Sequence, residues 1–306
     1  MPSLQQLRYL VAVADTLHFR RAAELVNVTQ PTLSAQLREL ELRLGTQLVE
    51  RTRARVVMTP VGTEIAARAR RVLTEVAGIR DLARGAQRPL SGTIRVGVVQ
   101  TLGPYLLPHI IPDLHEGLPD LRLYLREGLA DHLIRRLEEG TIDLLFCPLP
   151  LVRADLVTVA LFREPLLVLV PRDHPLAAAK AVPRAALKGQ TILTLEPGHR
   201  LYEQVCALAD DLEAAVSRDY EGTSLDTLRQ MVAMGLGLSL LPALYVRSEV
   251  TRETLVVARP ISDAPPSRVI GMVWRKGSAR DSEFRDLSQI IAGILTGRAP
   301  EVTVLD

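Results

Sequence analysis

The stretch His18–Leu44, HFRRAAELVNVTQPTLSAQLRELELRL, decides how the amino-terminal part of the chain folds. It reads as two helices joined by a tight polar turn. The first, Arg20–Val26, carries Ala22, Ala23 and Val26, small or apolar residues that permit close packing. Asn27-Val28-Thr29 breaks it, because Asn tolerates a left-handed backbone and the Thr29 hydroxyl can cap the next helix. Pro31 then falls in the first turn, where its missing N–H costs little. Leu33, Leu37, Leu40 and Leu44 recur at spacings of 4, 3 and 4, a single apolar stripe. The opposite side shows Gln30, Thr32, Ser34, Ala35 and Arg38. Small residues for close approach, with an amide and a guanidinium for base edges, are what a helix entering a DNA major groove needs. An ordinary amphipathic helical hairpin would show the same stripe, so the flanks decide.

Leu4, Leu7, Leu10, Val11 and Ala14 form an amphipathic helix ahead of the pair, completing a three-helix unit. After it, Gln47–Met58 is a short strand-like stretch with Arg51, Arg53 and Arg55 on alternate positions. The segments LQQLRYLVAVAD, HFRRAAELVNVTQPTLSAQLRELELRLGTQLVER and MTPVGTEI resemble the winged helix-turn-helix of LysR-type transcriptional regulators over about the first 85 residues. The resemblance implies double-stranded DNA with two or more half-sites as a partner. It implies contacts from Arg20, Gln30, Pro31, Thr32, Ser34, Arg38, Arg51, Arg53 and Arg55, a homodimer assembling to a homotetramer, and RNA polymerase as a further partner of an activator.

Met58-Thr59-Pro60 starts a further helix, with Thr59 as cap and Pro60 at its first position. Ile65, Ala69, Val72, Val76, Ile79 and Ala83 follow at spacings of 4, 3, 4, 3 and 4, the heptad alternation of a coiled-coil seam rather than of a core helix. This predicts a dimerisation rod, ended by a hinge at Gly85-Ala86-Gln87-Arg88-Pro89.

Charge divides the chain in the same place. Residues 1–90 hold 14 Arg, no Lys and 8 acids, a net of +6, whereas residues 91–306 hold 23 basic and 27 acidic residues, a net of −4. A basic module on a mildly acidic body suits one nucleic-acid contact and one contact of another kind. No signal peptide or apolar run of membrane-spanning length is visible. Two cysteines, Cys147 and Cys206, make no disulfide framework, so a reducing cytoplasm is the expected location.

From Ser91 the grammar becomes alternating strands and helices. Strands are expected at 94–98, 121–125, 143–147, 157–161, 166–170, 192–195, 218–221, 238–241, 255–258 and 269–274. Helices are expected at 104–118, 129–139, 201–215, 224–234 and 282–295. This alternation predicts mainly parallel sheets covered by helices. Glu164-Pro165 and Ala264-Pro265-Pro266 read as crossing points between two α/β lobes. The expected organisation is an α/β protein with an all-α amino-terminal module: a winged helix-turn-helix at 1–58 (the helical pair about 18–37), a linker helix at 59–88 and an effector domain at 91–306. Lobe 1 covers about 91–164 and 267–300, and lobe 2 about 165–266. Such a two-lobed body matches the LysR-type effector domain, which is similar to periplasmic binding proteins of type 2.

Ligands of open α/β sheets bind beyond the carboxyl ends of strands. The segments there are Gln100-Thr101-Leu102-Gly103, Glu127-Gly128, Gly198-His199-Arg200 and Gly222-Thr223-Ser224, all suited to a small polar or anionic ligand, although Thr101 and Ser224 could simply cap helices. GPYLLPHIIPDLHEGLPDL, EPGH, EGTSLDTLRQMVAMGLGLSLLPAL and RVIGMVWRKGS resemble the OxyR subfamily of peroxide-sensing activators. The resemblance makes Gln100, Thr101, Gly128, His199, Arg200, Thr223 and Arg268 the effector-site candidates. It places the reactive cysteine directly after the Gly-His pair, where this chain has Arg200, and the partner cysteine where it has Ala209. A thiolate attacks peroxide and a second thiol resolves the sulfenic acid; arginine does neither. Cys206 as a lone peroxide sensor stays open beside its reading as a small packed hydrophobe.

Arg200 opens a helix beside His199, and two positive influences there favour a bound anion. The same arginine could instead pair outward with Glu196 or Glu203, or fill the site and fix one conformation. Enzyme and metal readings find no support: the six histidines show no helical i, i+3 or i, i+4 pair, and no nucleophile with an orienting partner is visible. Neither a cofactor nor a metal is expected. A solute-binding protein and a thiol peroxidase are the rival classes, disfavoured by the basic helical module and by Arg200.

Overall fold

The computed structural model describes residues 1–51, 56–85 and 90–305. The chain divides into two compact units, Met1–Arg88 with Glu138–Thr141, and Pro89–Leu137 with Ile142–Asp306.

In the first unit, α1 (Leu4–Thr16), α2 (Phe19–Leu25) and α3 (Gln30–Leu44) pack around Leu10, Val13, Ala22, Ala23, Leu33, Leu37 and Leu40. Asn27 adopts a left-handed backbone (φ 56°), and the Thr29 side chain caps α3 by accepting from the Thr32 N–H. On α1 the buried face differs from the sequence expectation. Gln6, Tyr9, Leu10, Ala12 and Val13 face the core, while Leu4 is exposed and Leu7, Val11 and Ala14 are half-buried. The face is turned because Gln6 caps the helix start and Tyr9 enters the core, so that the small Ala12 lies inside.

The wing is a hairpin rather than one strand: β1 (Val49–Arg51) pairs antiparallel with β2 (Val56–Met58). The Glu41 carboxylate at the end of α3 anchors it by accepting from the N–H groups of Leu48 and Val49 at 2.9 and 3.1 Å. Arg53 and Arg55 lie outside the described residues, as does the 86–89 part of the expected hinge.

The long α4 (Pro60–Gly85) starts at Thr59, whose hydroxyl accepts from the Gly62 N–H. Its first turns belong to the three-helix core, since Ile65 and Ala66 pack there and Ala69 is buried. Further along, Val72 and Ile79 are exposed.

In the second unit the strands join into one sheet in the order β4-β3-β5-β11-β6-β9-β7-β8, with β10 and β12 also on β6. The strands are β3 (Gly92–Val99), β4 (Leu121–Gly128), β5 (Leu144–Leu149), β6 (Leu156–Pro171), β7 (Thr191–Leu195), β8 (Ala215–Gly222), β9 (Leu238–Pro242), β10 (Val256–Arg259), β11 (Ser267–Arg275) and β12 (Thr303–Val304). The helices are α5 (Gly103–Gly117), α6 (Ala130–Glu138), α7 (Arg200–Asp211), α8 (Leu225–Ala233), the short turn α9 (Ala243–Tyr245) and α10 (Asp281–Arg298).

Two separate apolar cores define the lobes. One joins Ile94, Val98, Leu106, Phe146, Phe162, Trp274 and Phe284, and the other Leu169, Val182, Leu193, Val205, Leu228 and Leu240. The outer strands are parallel, β3 with β4 and β5, and β7 with β8 and β9. The centre of the sheet is antiparallel, contrary to the mainly parallel expectation, because β11 runs against both β5 and β6. The expected separate strands at 157–161 and 166–170 are one strand, β6. Pro165 does not interrupt it, since it sits where β6 leaves the first lobe: Pro165 still pairs with Ser267, and the next N–H, of Leu166, donates to the Pro266 carbonyl. The helix expected to reach 215 ends at Asp211, followed by Glu213 at positive φ and the start of β8.

Gly62 shows how tightly α4 is seated. A Cβ at this position would lie 2.0 Å from the Leu48 carbonyl oxygen at the foot of the wing. In an unconstrained helix Gly→Ala stabilises by about 1 kcal/mol. Here the sign should reverse, with Gly62→Ala destabilising the first unit by about 1–3 kcal/mol because backbone must move; urea unfolding followed by circular dichroism measures it.

Candidate DNA-binding surface and effector site

On the first unit, Gln30, Pro31, Thr32 and Arg38 are exposed on α3, and Ser34 is half-exposed. The Thr32 hydroxyl also meets the Thr29 hydroxyl at 2.8 Å, so it braces the helix start as well as facing outward. Arg20 is exposed on α2 and paired with Glu24 one turn on. Arg51 ends β1. Apart from Arg20, these positions lie on the second helix of the pair and the wing, the parts that a winged helix-turn-helix offers to a duplex.

In the second unit the sequence candidates gather at the carboxyl ends of parallel strands. Gln100 and Thr101 follow β3, Gly128 ends β4 opposite Val99, His199 and Arg200 follow β7, and Thr223 follows β8. Gly198 needs its left-handed backbone (φ 101°), and a Cβ there would lie 3.6 Å from Leu129 of the first lobe. The turn before α7 therefore faces the start of α6 across the lobe boundary. Behind Gln100-Thr101, a Cβ at Gly103 would meet the Glu127 carboxylate at 2.8 Å, which puts that carboxylate against the first turn of α5. Burial pushes the Glu127 carboxyl up from its ordinary value.

Thr101 does not cap α5; its hydroxyl and carbonyl accept from Arg268 at 3.0 and 2.9 Å. The remaining Arg268 nitrogen, Nε, donates to Glu164 Oε2 at 2.8 Å, and both side chains are fully buried. The other Glu164 oxygen accepts from the Leu244 N–H at 2.9 Å. All three guanidinium nitrogens are thus engaged by protein groups. Arg268 lies behind the candidate site and holds Thr101 in place, rather than reaching into it as the resemblance implied. Sequence reading missed Glu164 as a functional partner. Its signal was a lone carboxylate inside the apolar run LFREPLLVLVP.

Beside this pair, Tyr105 of α5 meets Tyr245 edge to face, with ring centroids 5.0 Å apart, and Tyr105 packs against both cores. The Tyr245 hydroxyl donates to Asp226 at 3.1 Å. Burial, helped by the Asp226 charge, holds both phenols protonated far above their ordinary range.

His199 is buried, and burial lowers its pKa against a weaker opposing pull from Glu196, so the imidazole is neutral at pH 7. The positive crowding expected beside Arg200 is correspondingly smaller. The Arg200 side chain is 34% exposed, and its Nη1 donates to Glu203 at 3.2 Å. Ser224 caps α8 by accepting from the Thr227 N–H. Cys147 is buried on β5, and burial pushes its thiol up to about 12, with Arg200 the opposing influence across the lobe boundary. Cys206 is half-exposed on α7, and Ala209 on the same helix is fully buried. Among the described residues no group of three or more His, Cys, Asp or Glu is arranged to hold a metal ion, and no helix is long and apolar enough to cross a membrane.

Comparison with known proteins gives this arrangement its class. Residues 4–63 match the description "Bacterial regulatory helix-turn-helix protein, lysR family", and residues 87–294 match "LysR substrate binding domain". The chain belongs to the LysR family of DNA-binding transcription regulators. Within that family it is OxyR-like. It is 41% identical over 300 residues to the DNA-binding transcriptional dual regulator OxyR of Escherichia coli K12, covering 98% of each chain. It is 35% identical to a probable hydrogen peroxide-inducible genes activator of Mycobacterium avium, covering 97% of this chain and 96% of that one. Full-length OxyR of Pseudomonas aeruginosa, solved as a cysteine-to-aspartate variant, superposes with a TM-score of 0.80 at 37% identity, covering 97% of this chain and 95% of that one. A hydrogen-peroxide-bound cysteine-to-serine variant of Corynebacterium glutamicum OxyR superposes at 0.67 with 32% identity, covering 97% and 93%.

Two outcomes follow from the site. Arg268→Met leaves the buried Glu164 charge without its cation and should destabilise the second unit by about 3–5 kcal/mol, whereas Arg268→Met with Glu164→Leu should recover most of that loss, measured by chemical denaturation. With one thiol buried and protonated and the other half-exposed, iodoacetamide at pH 8 should label Cys206 well ahead of Cys147, read by mass spectrometry.

Proposed function

We propose that the protein is a transcriptional activator whose second unit responds to a small, anionic or carboxylate-bearing ligand rather than through a two-cysteine switch. The observation that carries this reading is Arg200. It opens α7 directly after Gly198-His199, where the resemblance puts the peroxide-reactive cysteine, and Ala209 stands at the partner position. Arginine neither reduces peroxide nor forms a disulfide, and a partly exposed guanidinium at a helix start is a natural anion ligand. Glu203 already partners it, so the ligand must compete with a surface ion pair of small worth. Gln100, Thr101, Gly128, His199 and Thr223 supply the remaining polar contacts, and Arg268 serves by fixing Thr101.

On the DNA side, Gln30, Pro31, Thr32, Ser34 and Arg38 face bases, while Arg20, Arg51, Arg53 and Arg55 hold the backbone or the minor groove. The exposed Val72 and Ile79 of α4 suit a dimer seam, and two dimers form the tetramer that engages several half-sites. A ligand that favours one lobe arrangement shifts the population of assemblies and so the spacing of the reading heads. RNA polymerase is then the partner that an activator recruits.

Thermal shift of parental and Arg200→Ala protein against phosphate, sulfate and a panel of small carboxylates tests the ligand, with a DNA footprint run in parallel. Stabilisation by a panel member that the variant loses is the expected result. A peroxide-dependent footprint that Cys206→Ser abolishes would replace this reading with a single-thiol sensor.

A further inference from the structure

The capping box of α1 has an arm that reaches the recognition helix. Ser3 caps α1 by accepting from the Gln6 N–H at 3.1 Å, and the Ser3 N–H donates back to Gln6 Oε1 at 3.1 Å. That second bond fixes which end of the Gln6 amide is which, since a backbone N–H can only donate. Gln6 is buried, 2% exposed, so its Nε2 needs an acceptor. It finds Gln36 Oε1 on α3 at 3.3 Å. The polarity therefore passes on to Gln36, whose oxygen is turned towards α1 and whose amide N–H groups are turned away. Gln36 is half-exposed, one turn beyond Thr32, and no other group among the described residues holds its Nε2.

We propose that Gln36 donates a hydrogen bond to an acceptor on DNA, and that the buried Gln6 is the positioning residue that sets this donor polarity. Gln36 lies on the flank of α3 beside α1, away from the exposed Ala35 and Arg38, which puts it at the edge of the groove and favours a phosphate oxygen as acceptor. The assignment rests on DNA binding through α3, which binding of the parental protein to its selected duplex and its weakening in Gln30→Ala check independently of Gln36.

The test uses the full-length protein and the duplex that parental protein selects from a random pool. Gln36→Ala should weaken binding about tenfold. The salt dependence should not change, because a neutral amide displaces no counterion. Gln6→Glu keeps the bond from the Ser3 N–H but cannot donate, so the Gln36 amide must turn over and present its oxygen outward. Its loss should match that of Gln36→Ala in the parental background and vanish in the Gln36→Ala background. Simple repulsion between the introduced carboxylate and DNA would persist in both. Gln36→Glu still accepts from Gln6 and should fold like the parent, yet bind less tightly than Gln36→Ala. An even loss across sequences identifies a phosphate, and relaxed choice at one position identifies a base edge; each supports a donor at Gln36. Gln36→Ala or Gln36→Glu binding within twofold of the parent, or a Gln6→Glu loss undiminished in the Gln36→Ala background, overturns the proposal.

Discussion

The buried pair between Arg268 and Glu164 is the constraint around which the second unit is arranged. The two residues face each other in register on β11 and β6, where β6 passes from one lobe to the other and β11 begins. Taking both charges out of water is costly, and it is offset only because every guanidinium nitrogen and both carboxylate oxygens find partners. Those partners come from different places: Thr101 at the end of β3, and Leu244 in the turn after β9. Satisfying the pair therefore fixes the ends of strands from both lobes at once. Such a network adds little stability over an apolar replacement, but it tolerates few alternative arrangements.

The same network explains why the candidate site is lopsided in chemistry. Near Thr101 the groups are spoken for, and His199 is held neutral by burial. Among the described candidate residues Arg200 is the cation near the surface, with the exposed Glu203 carboxylate beside it. A two-thiol reaction fits this picture poorly, since Cys147 is protonated by burial and Ala209 offers no sulfur. The ligand response proposed for this chain thus rests on one helix start.

Much of this is legible in the sequence. Leu33, Leu37 and Leu40 announce the core face of α3 by period alone, and Asn27 and Thr29 mark its start through local backbone chemistry. These are short-range signals. The α1 face is harder to read because Leu4, Leu7 and Val11 stay outside the core, and nothing local reveals that Gln6 is buried with its partners supplied by Ser3 and by α3. Pro165 in β6 misleads for a related reason: proline usually marks the end of a strand, and only the neighbouring β11 shows that it sits at a crossing. The role of Arg268 depends on Glu164, 104 positions away, a separation that periodicity cannot report.

The seating of Gly62 against Leu48 gives the first unit a mechanical character. Because the start of α4 is locked to the foot of the wing and its Ile65 and Ala66 share the core with α3, the helix and the reading head form one stiff arm. A helix of 26 residues is about 39 Å long. Tilting it by one degree about its far end carries the wing through about 0.7 Å, from the same rise per residue. Displacements of that size are comparable to the tolerance of a hydrogen bond, so a small rotation at the distal end is amplified into a choice between touching and missing a base.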